Sequence, residues 1–303
     1  MYKKILSFVF CLSALNVLYG QAEAQYTQYM YNTSIINPAY SGSEEVLKIS
    51  LLHRSQWVGI PGGPETQTFS LESMIAQKIG VSLNVSKDEI GPSNEVVFDL
   101  NLSYYIQVTD NGRLAFGMKG GGRKLSMNLN KGSLFDTQTP QTVNSLNNNF
   151  FPTLGAGLYY YTNKSYIGFS VPNLLITNRY VGDGNESYTN DTHYHFIMGS
   201  VFKLNNYVKF KPAILLKAVA GSPISIDVSS NFMFYDKLIL GVAYRFDAAI
   251  SGLVGFNVSK NFFVGYASDY STGFENNAFG SSHEVFLSLR FPMGSIYESP
   301  RFF

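Results

Sequence analysis

From Glu95 to Val108 the chain alternates. Val96, Phe98, Leu100, Leu102, Tyr104, Ile106 and Val108 share one parity; Val97, Asp99, Asn101, Ser103, Tyr105 and Gln107 share the other. A β-strand sends successive side chains to opposite faces, so this stretch predicts a strand with one greasy and one wet face. In a soluble sandwich the greasy face would be the core. In an outer-membrane barrel it meets lipid, and the wet face lines the interior.

About fourteen such segments follow one another, from 46–57 to 283–292, most of 9–12 residues. A tilted strand needs that length to cross a bilayer, whereas globular strands average five or six residues. Helical periodicity is almost absent beyond Glu44. In "KLILGVAYRF", "YVKFKPAILLK" and "HEVFLSLRF" one parity is apolar. The other places Lys209, Lys211, Arg245 and Arg290 among Gly, Ala and Ser. A crowded, wet barrel interior has that composition.

The connections between segments favour the barrel. Those at 75–77, 109–111, 162–163, 205–206, 235–236 and 260 are short. The alternate ones, at 58–64, 87–94, 125–151, 172–192, 218–222 and 270–282, are long, and only Asp247–Ala248 breaks the rule. Short turns on one rim and long loops on the other are the outer-membrane arrangement. Lipid leaves no partner for an exposed backbone amide, so the sheet must close. The expected fold is therefore all-β: a closed antiparallel transmembrane β-barrel of about 14 strands with a short N-terminal periplasmic segment. Three local features bear on it. Pro212 breaks a ladder bond and predicts a bulge. "GMKGGGRK", Gly117 to Lys124, predicts bulging or sharp coiling. Tyr104, Tyr105, Tyr159 to Tyr161, Phe262 and Phe263 lie near strand ends, where aromatic belts sit.

Composition sharpens the picture. Charged residues are 14%, against about 25% in soluble domains. The N-terminus has Lys3 and Lys4, then the apolar run "ILSFVFCLSALNVLYG", then "AEA" at Ala22–Ala24, which reads as a secretory leader cleaved after Ala24. Taking Lys3, Lys4 and Glu23 from 22 basic and 21 acidic residues leaves 20 of each. Nothing then steers the chain to nucleic acid. The single cysteine, Cys11, leaves with the leader, so disulfides and a thiol nucleophile are excluded. The expected divisions are 1–24 leader, 25–45 periplasmic segment, 46–292 barrel and 293–303 periplasmic tail. Both termini are expected in the periplasm and the barrel in the outer-membrane lipid.

Candidate chemistry is sparse. His193 and His195 share a strand face at a spacing that can chelate, but only Asp191 lies near, and two ordinary polar-face residues explain them. There is no G-x-S-x-G elbow and no GK[ST] phosphate loop. Asp183 and Glu186 in "DGNES" read as a polar surface loop. His53 and His283 carry no assigned role. No catalytic residue, cofactor or metal is expected. "LLHRSQWVGIPGGPETQTFSLES" is more informative. It sets the only Trp, Trp57, beside Arg54 and Gln56 and a Pro/Gly turn, as an aromatic-belt hairpin or a lip for a partner.

The stretches "QYMYNTSIINPAYSGS", "RSQWVGIPGGPETQTFS", "GPSNEVVFDLNLSYYIQV", "YYYTNKSYIGFSVPNLL" and "SSHEVFLSLRF" resemble the PorP/SprF family of Bacteroidota outer-membrane proteins. The resemblance spans essentially the whole mature chain. Its most specific elements are Asn37-Pro38-Ala39-Tyr40 and Gln56-Trp57-Val58-Gly59. It implies a non-enzymatic barrel associated with type IX secretion. Some members bind periplasmic components of that system. Others help secrete or hold surface adhesins that bear a type B C-terminal sorting domain, as in gliding motility. The expected role is capture or anchoring of a secreted surface protein; the alternative is a passive porin or hydrophobic-solute channel. Partner contacts are expected at Asn37, Pro38, Tyr40, Arg54, Gln56 and Trp57, and in the interior at Lys209, Lys211 and Arg245.

Overall fold

The computed structural model describes residues 26–127, 146–175, 177–181, 186–190, 192–219, 222–272 and 280–293. Its strands are β1 (Val46–Ser55), β2 (Glu65–Ala76), β3 (Ile79–Ile90), β4 (Ser93–Thr109), β5 (Gly112–Met127), β6 (Leu146–Thr162) and β7 (Ser165–Val171). Then come β8 (Thr177–Val181), β9 (Glu186–Asn190), β10 (His193–Ser200), β11 (Phe202–Lys203), β12 (Val208–Val219) and β13 (Ser225–Phe234). The last four are β14 (Leu238–Arg245), β15 (Ala249–Asn257), β16 (Phe262–Ser271) and β17 (Ser282–Pro292).

Each barrel strand pairs antiparallel with its neighbours in sequence, β7 with β10 across the β8–β9 hairpin, and β1 with β17 closes the ring. β10 and β11 keep one register against β12 and form a single strand, so the barrel has fourteen. Closure removes the edge that lipid could not satisfy.

β4 answers the question its pattern raised. Leu100 and Leu102 are 57% and 52% exposed, while Asn101 and Ser103 are fully covered. The greasy parity faces outward all round the barrel, and the hydroxyls, amides and charges face inward. One rim carries the tight connections at 77–78, 110–111, 163–164, 204–207, 235–237 and 258–261. We call it the turn rim. The loop rim carries those at 56–64, 172–192, 220–224 and 272–281, and 128–145, which lies outside the described residues.

Four expectations need correction. The connection at 87–94 is not long: β3 runs to Ile90 and pairs with Ser93 across a Gly91–Pro92 turn. Pro212 makes no bulge, and the register of β12 to β13 is unbroken across it. Its missing N–H shows instead on the other side, where the ladder lapses opposite it between β10 and β11. Gly117–Lys124 is equally unbroken in register; the shifts of β5 lie at its ends. The aromatic pairs split between faces. Tyr104 is exposed, but Tyr105, Tyr159, Tyr161 and Phe263 point inward and are buried.

What they meet is the N-terminal segment, which lies within the barrel. Residues 26–44, three 3-10 turns (Tyr29–Tyr31, Thr33–Ile35, Pro38–Tyr40) and their links, are buried in the lumen except for half-buried Ile35. We call the stretch from Tyr26 to Glu45 the plug. Its aromatic side chains and the inward aromatic residues of the wall form the buried hydrophobic cluster.

Candidate functional site

The plug is held along its whole length, and each contact follows from a residue type on the inward parity. At its start the backbone amides of Thr27 and Gln28 donate to the two oxygens of Glu284, at 3.0 and 2.8 Å. The Thr27 hydroxyl donates to Asp269 at 2.8 Å. Arg54 neutralises this corner, with Nη2 2.6 Å from Asp269 and Nη1 3.2 Å from Glu284. Burying these charges is tolerable because they are paired and hydrogen-bonded.

Further along, Asn32 donates to Ser70 at 2.9 Å and Ser34 to Asn84 at 3.2 Å. Asn101 donates to the Ser34 carbonyl at 2.9 Å. The Asn37-Pro38-Ala39-Tyr40 element is a capped turn. The Asn37 side-chain oxygen, Oδ1, accepts from the Ala39 backbone amide at 3.0 Å, and Pro38 takes the first position, where its missing N–H costs nothing. The other end of the Asn37 amide donates to the Leu158 carbonyl at 3.0 Å. This turn sits in notches that only glycine leaves open. A Cβ on Gly117 would overlap the Ala39 amide, and one on Gly157 would overlap the Asn37 side chain.

At the far end, the Tyr40 ring packs edge-on to Tyr159 with centroids 5.3 Å apart, and its hydroxyl donates to Glu44 at 3.0 Å. Ser41 and Ser82 hydroxyls meet at 2.8 Å. Lys48 bridges Glu44 at 2.5 Å and Glu72 at 3.0 Å, and Arg290 reaches Glu44 at 3.2 Å. Burial pushes the Glu44 carboxyl up, but Lys48 and Arg290 beside it outweigh that and hold it at about 2, below its ordinary 4.5. Arg113 pairs with Glu45 where the plug joins β1.

Above the plug, the loop 56–64 forms a tied lip on the loop rim. Val58 N–H bonds the Ser281 carbonyl at 3.0 Å, Gln56 N–H the Pro64 carbonyl at 2.8 Å and Gly91 N–H the Gly62 carbonyl at 3.0 Å. Trp57 holds a left-handed backbone, φ 54°, between these ties. Such a conformation is costly for a bulky residue and persists only where its surroundings impose it. Val58 beside it is 52% exposed.

The expected contact residues are therefore scattered. Asn37, Pro38 and Tyr40 belong to the plug, and Arg54 anchors its start; all four are buried. Lys211 is buried beneath the Tyr166 ring, 6.0 Å from its centroid, and Arg245 is paired with Asp227 at 2.6 Å. None of these six offers a surface while the plug is seated. Gln56 and Trp57 lie in the lip, and Lys209 lies at the turn rim, paired with Asp236 at 2.5 Å. His193 and His195 face inward with rings 6.4 Å apart. Among the described residues no group of three or more His, Cys, Asp or Glu could hold a metal, and Asp191, Asp183 and the 128–145 loop lie outside those residues. Sequence reasoning missed Thr27, Asp269, Glu284, Lys48, Glu72 and the glycine notches. Inward parity and an acidic residue near a strand end were the only signals for the acids.

In fold, the chain is similar to two solved outer-membrane proteins. The P. putida toluene transporter TodX aligns at TM-score 0.53 and 12% identity, over 87% of this chain and 94% of TodX. The Ralstonia pickettii toluene transporter TbuX aligns at 0.51 and 12%, over 85% and 93%. No match was found among curated proteins. The sequence itself matches, over residues 18–289, the family described as type IX secretion system membrane protein PorP/SprF. With a match over nearly the whole barrel and plug, the chain belongs to the PorP/SprF family.

Proposed function

We propose that this barrel is a non-enzymatic accessory of type IX secretion that captures or anchors a secreted surface protein at its loop rim. The turn rim and the chain's C-terminal end face the periplasm, where components of the secretion system dock. The observation that carries the reading is the plug. It runs from one end of the lumen to the other and is hydrogen-bonded throughout, occupying the space that a passive pore keeps open. Recognition then falls to the rims. On the loop rim the pre-tied lip with Gln56, Trp57 and exposed Val58 offers a rigid, partly apolar contact, of the kind that anchors interfaces. On the turn rim Lys209 is the accessible candidate.

The test has two arms. Affinity capture of the intact protein from native membranes should recover a protein bearing a type B C-terminal sorting domain or a periplasmic secretion component. Planar bilayers holding the purified barrel should stay electrically silent. Steady open-channel current, with no such partner recovered, would replace this reading by the solute channel.

A further inference from the structure

The plug has a direction, and it is opposite to the one the sequence suggests. Its first residues are held by Arg54, Asp269 and Glu284. These sit one residue from the end of β1, two from the end of β16 and two from the start of β17, all at the loop rim. Ser34 and Met30 then meet Asn84 and Asn231 in mid-strand. Glu45 meets Arg113, the second residue of β5, at the turn rim. The chain thus descends the whole lumen from loop rim to turn rim and only then climbs as β1.

We infer that the start of the mature chain is presented on the surface-facing side of the barrel, as part of its receiving face. This rests on the orientation proposed above. Tyr26 lines a cleft with Asp88, Glu95 and Arg123 of the loop-rim ends of β3, β4 and β5, and Ile35 and Ile36 of the plug line it deeper down. Charge supports a free start. Arg54 faces two carboxylates, which leaves that corner one positive charge short. Cleavage of the Ala24–Gln25 amide by water, with the carboxylate departing on the leader, creates an ammonium two positions before Thr27 in the chain, of the sign that the corner lacks. An uncleaved leader would instead have to lie outside the cell with its apolar run in water. Leader removal therefore precedes seating.

Because Cys11 departs with the leader, single cysteines in the mature chain are unique probes. Gln25→Cys at the start of the mature chain, Val58→Cys at the loop rim and Asn206→Cys at the turn rim are each treated with a membrane-impermeant maleimide, on intact cells and after outer-membrane permeabilisation. Gln25→Cys should follow Val58→Cys, with an intact-to-permeabilised labelling ratio near one. Asn206→Cys should give a ratio near zero. Gln25→Cys following Asn206→Cys overturns the inference. Exchange of the two control results overturns the orientation instead. A separate Ser41→Cys/Ser82→Cys pair, replacing hydroxyls 2.8 Å apart, should oxidise to a reducible disulfide in the folded barrel. A folded barrel with both thiols free would show that the plug is not seated and would overturn the inference by a second route.

Discussion

The two ends of the plug are held by different physics. At the loop rim, Thr27 and Gln28 rest on two carboxylates and one arginine, through backbone amides and a hydroxyl. No covalent bond to the wall and no glycine notch other than Gly265 beside Gln28 secures them. At the turn rim, the plug continues into β1, lies in glycine notches, stacks on Tyr159 and shares a balanced set of two cations and two anions. The first end is bound much as a ligand would be, and the second is built in.

The largest blow to that contrast is Glu284→Ala. It strips the acceptor from two buried backbone amides, a loss of about 1–3 kcal/mol for each donor left unsatisfied, while Arg54 keeps Asp269. Amide exchange at Thr27 and Gln28 should rise steeply while Tyr40–Glu45 stays protected. Glu284→Gln, which keeps an acceptor, should cost less. Next is Gly117→Val, which drives carbon into the Ala39 amide and should destabilise by about 1–3 kcal/mol on urea unfolding in detergent. Gly120→Val is its control. That position is exposed on the outer face with open space at its Cβ, and the change should fall within about 0.5 kcal/mol.

The sequence exposed the membrane-crossing parts and hid the rest, for a reason tied to solvent. Where a strand has lipid on one side and a wet lumen on the other, parity is enforced, and β4 reads off directly. Above the membrane both faces meet water. Lys87 to Glu89 therefore lose the alternation, and β3 and β4 appeared to end before their pairing did. Their exposed Lys87–Glu89 pair at 2.6 Å is a solvated surface feature. The site was less legible still. Asn37-Pro38-Ala39-Tyr40 stood out as an element, but its seat is made by Gly117 and Gly157, far along the chain. Arg54 was noticed beside Trp57, yet its partner Asp269 is 215 residues away. Contacts of that separation leave no periodic trace in a single sequence.

Acid sharpens the turn-rim side of the comparison. The Glu44 carboxyl is held at about 2 in the folded chain, against an ordinary value of 4.5. A depressed carboxyl contributes stability above its unfolded value and loses it as pH falls through the folded one. The share of Tyr40–Glu45 protection that Glu44 supplies should therefore be fully present above about pH 4.5 and be lost between about 4.5 and 2. In Glu44→Gln that acid-dependent step should be absent.

Tyr40→Phe is the gentlest probe and the most discriminating. It removes one hydroxyl that donates to Glu44 and leaves the ring on Tyr159. Glu44 keeps Lys48 and Arg290, so no charge is orphaned, and the cost should be about 1 kcal/mol, the net worth of one hydrogen bond. Exchange should quicken slightly at Tyr40–Glu45 and not at all at Thr27 and Gln28. The two ends are separated by the mid-lumen contacts of Asn32, Ser34 and Asn37, each anchored to its own strand. Equal loosening at both ends would mean that the plug moves as one rigid piece. The ligand-like end and the built-in end would then be a single element.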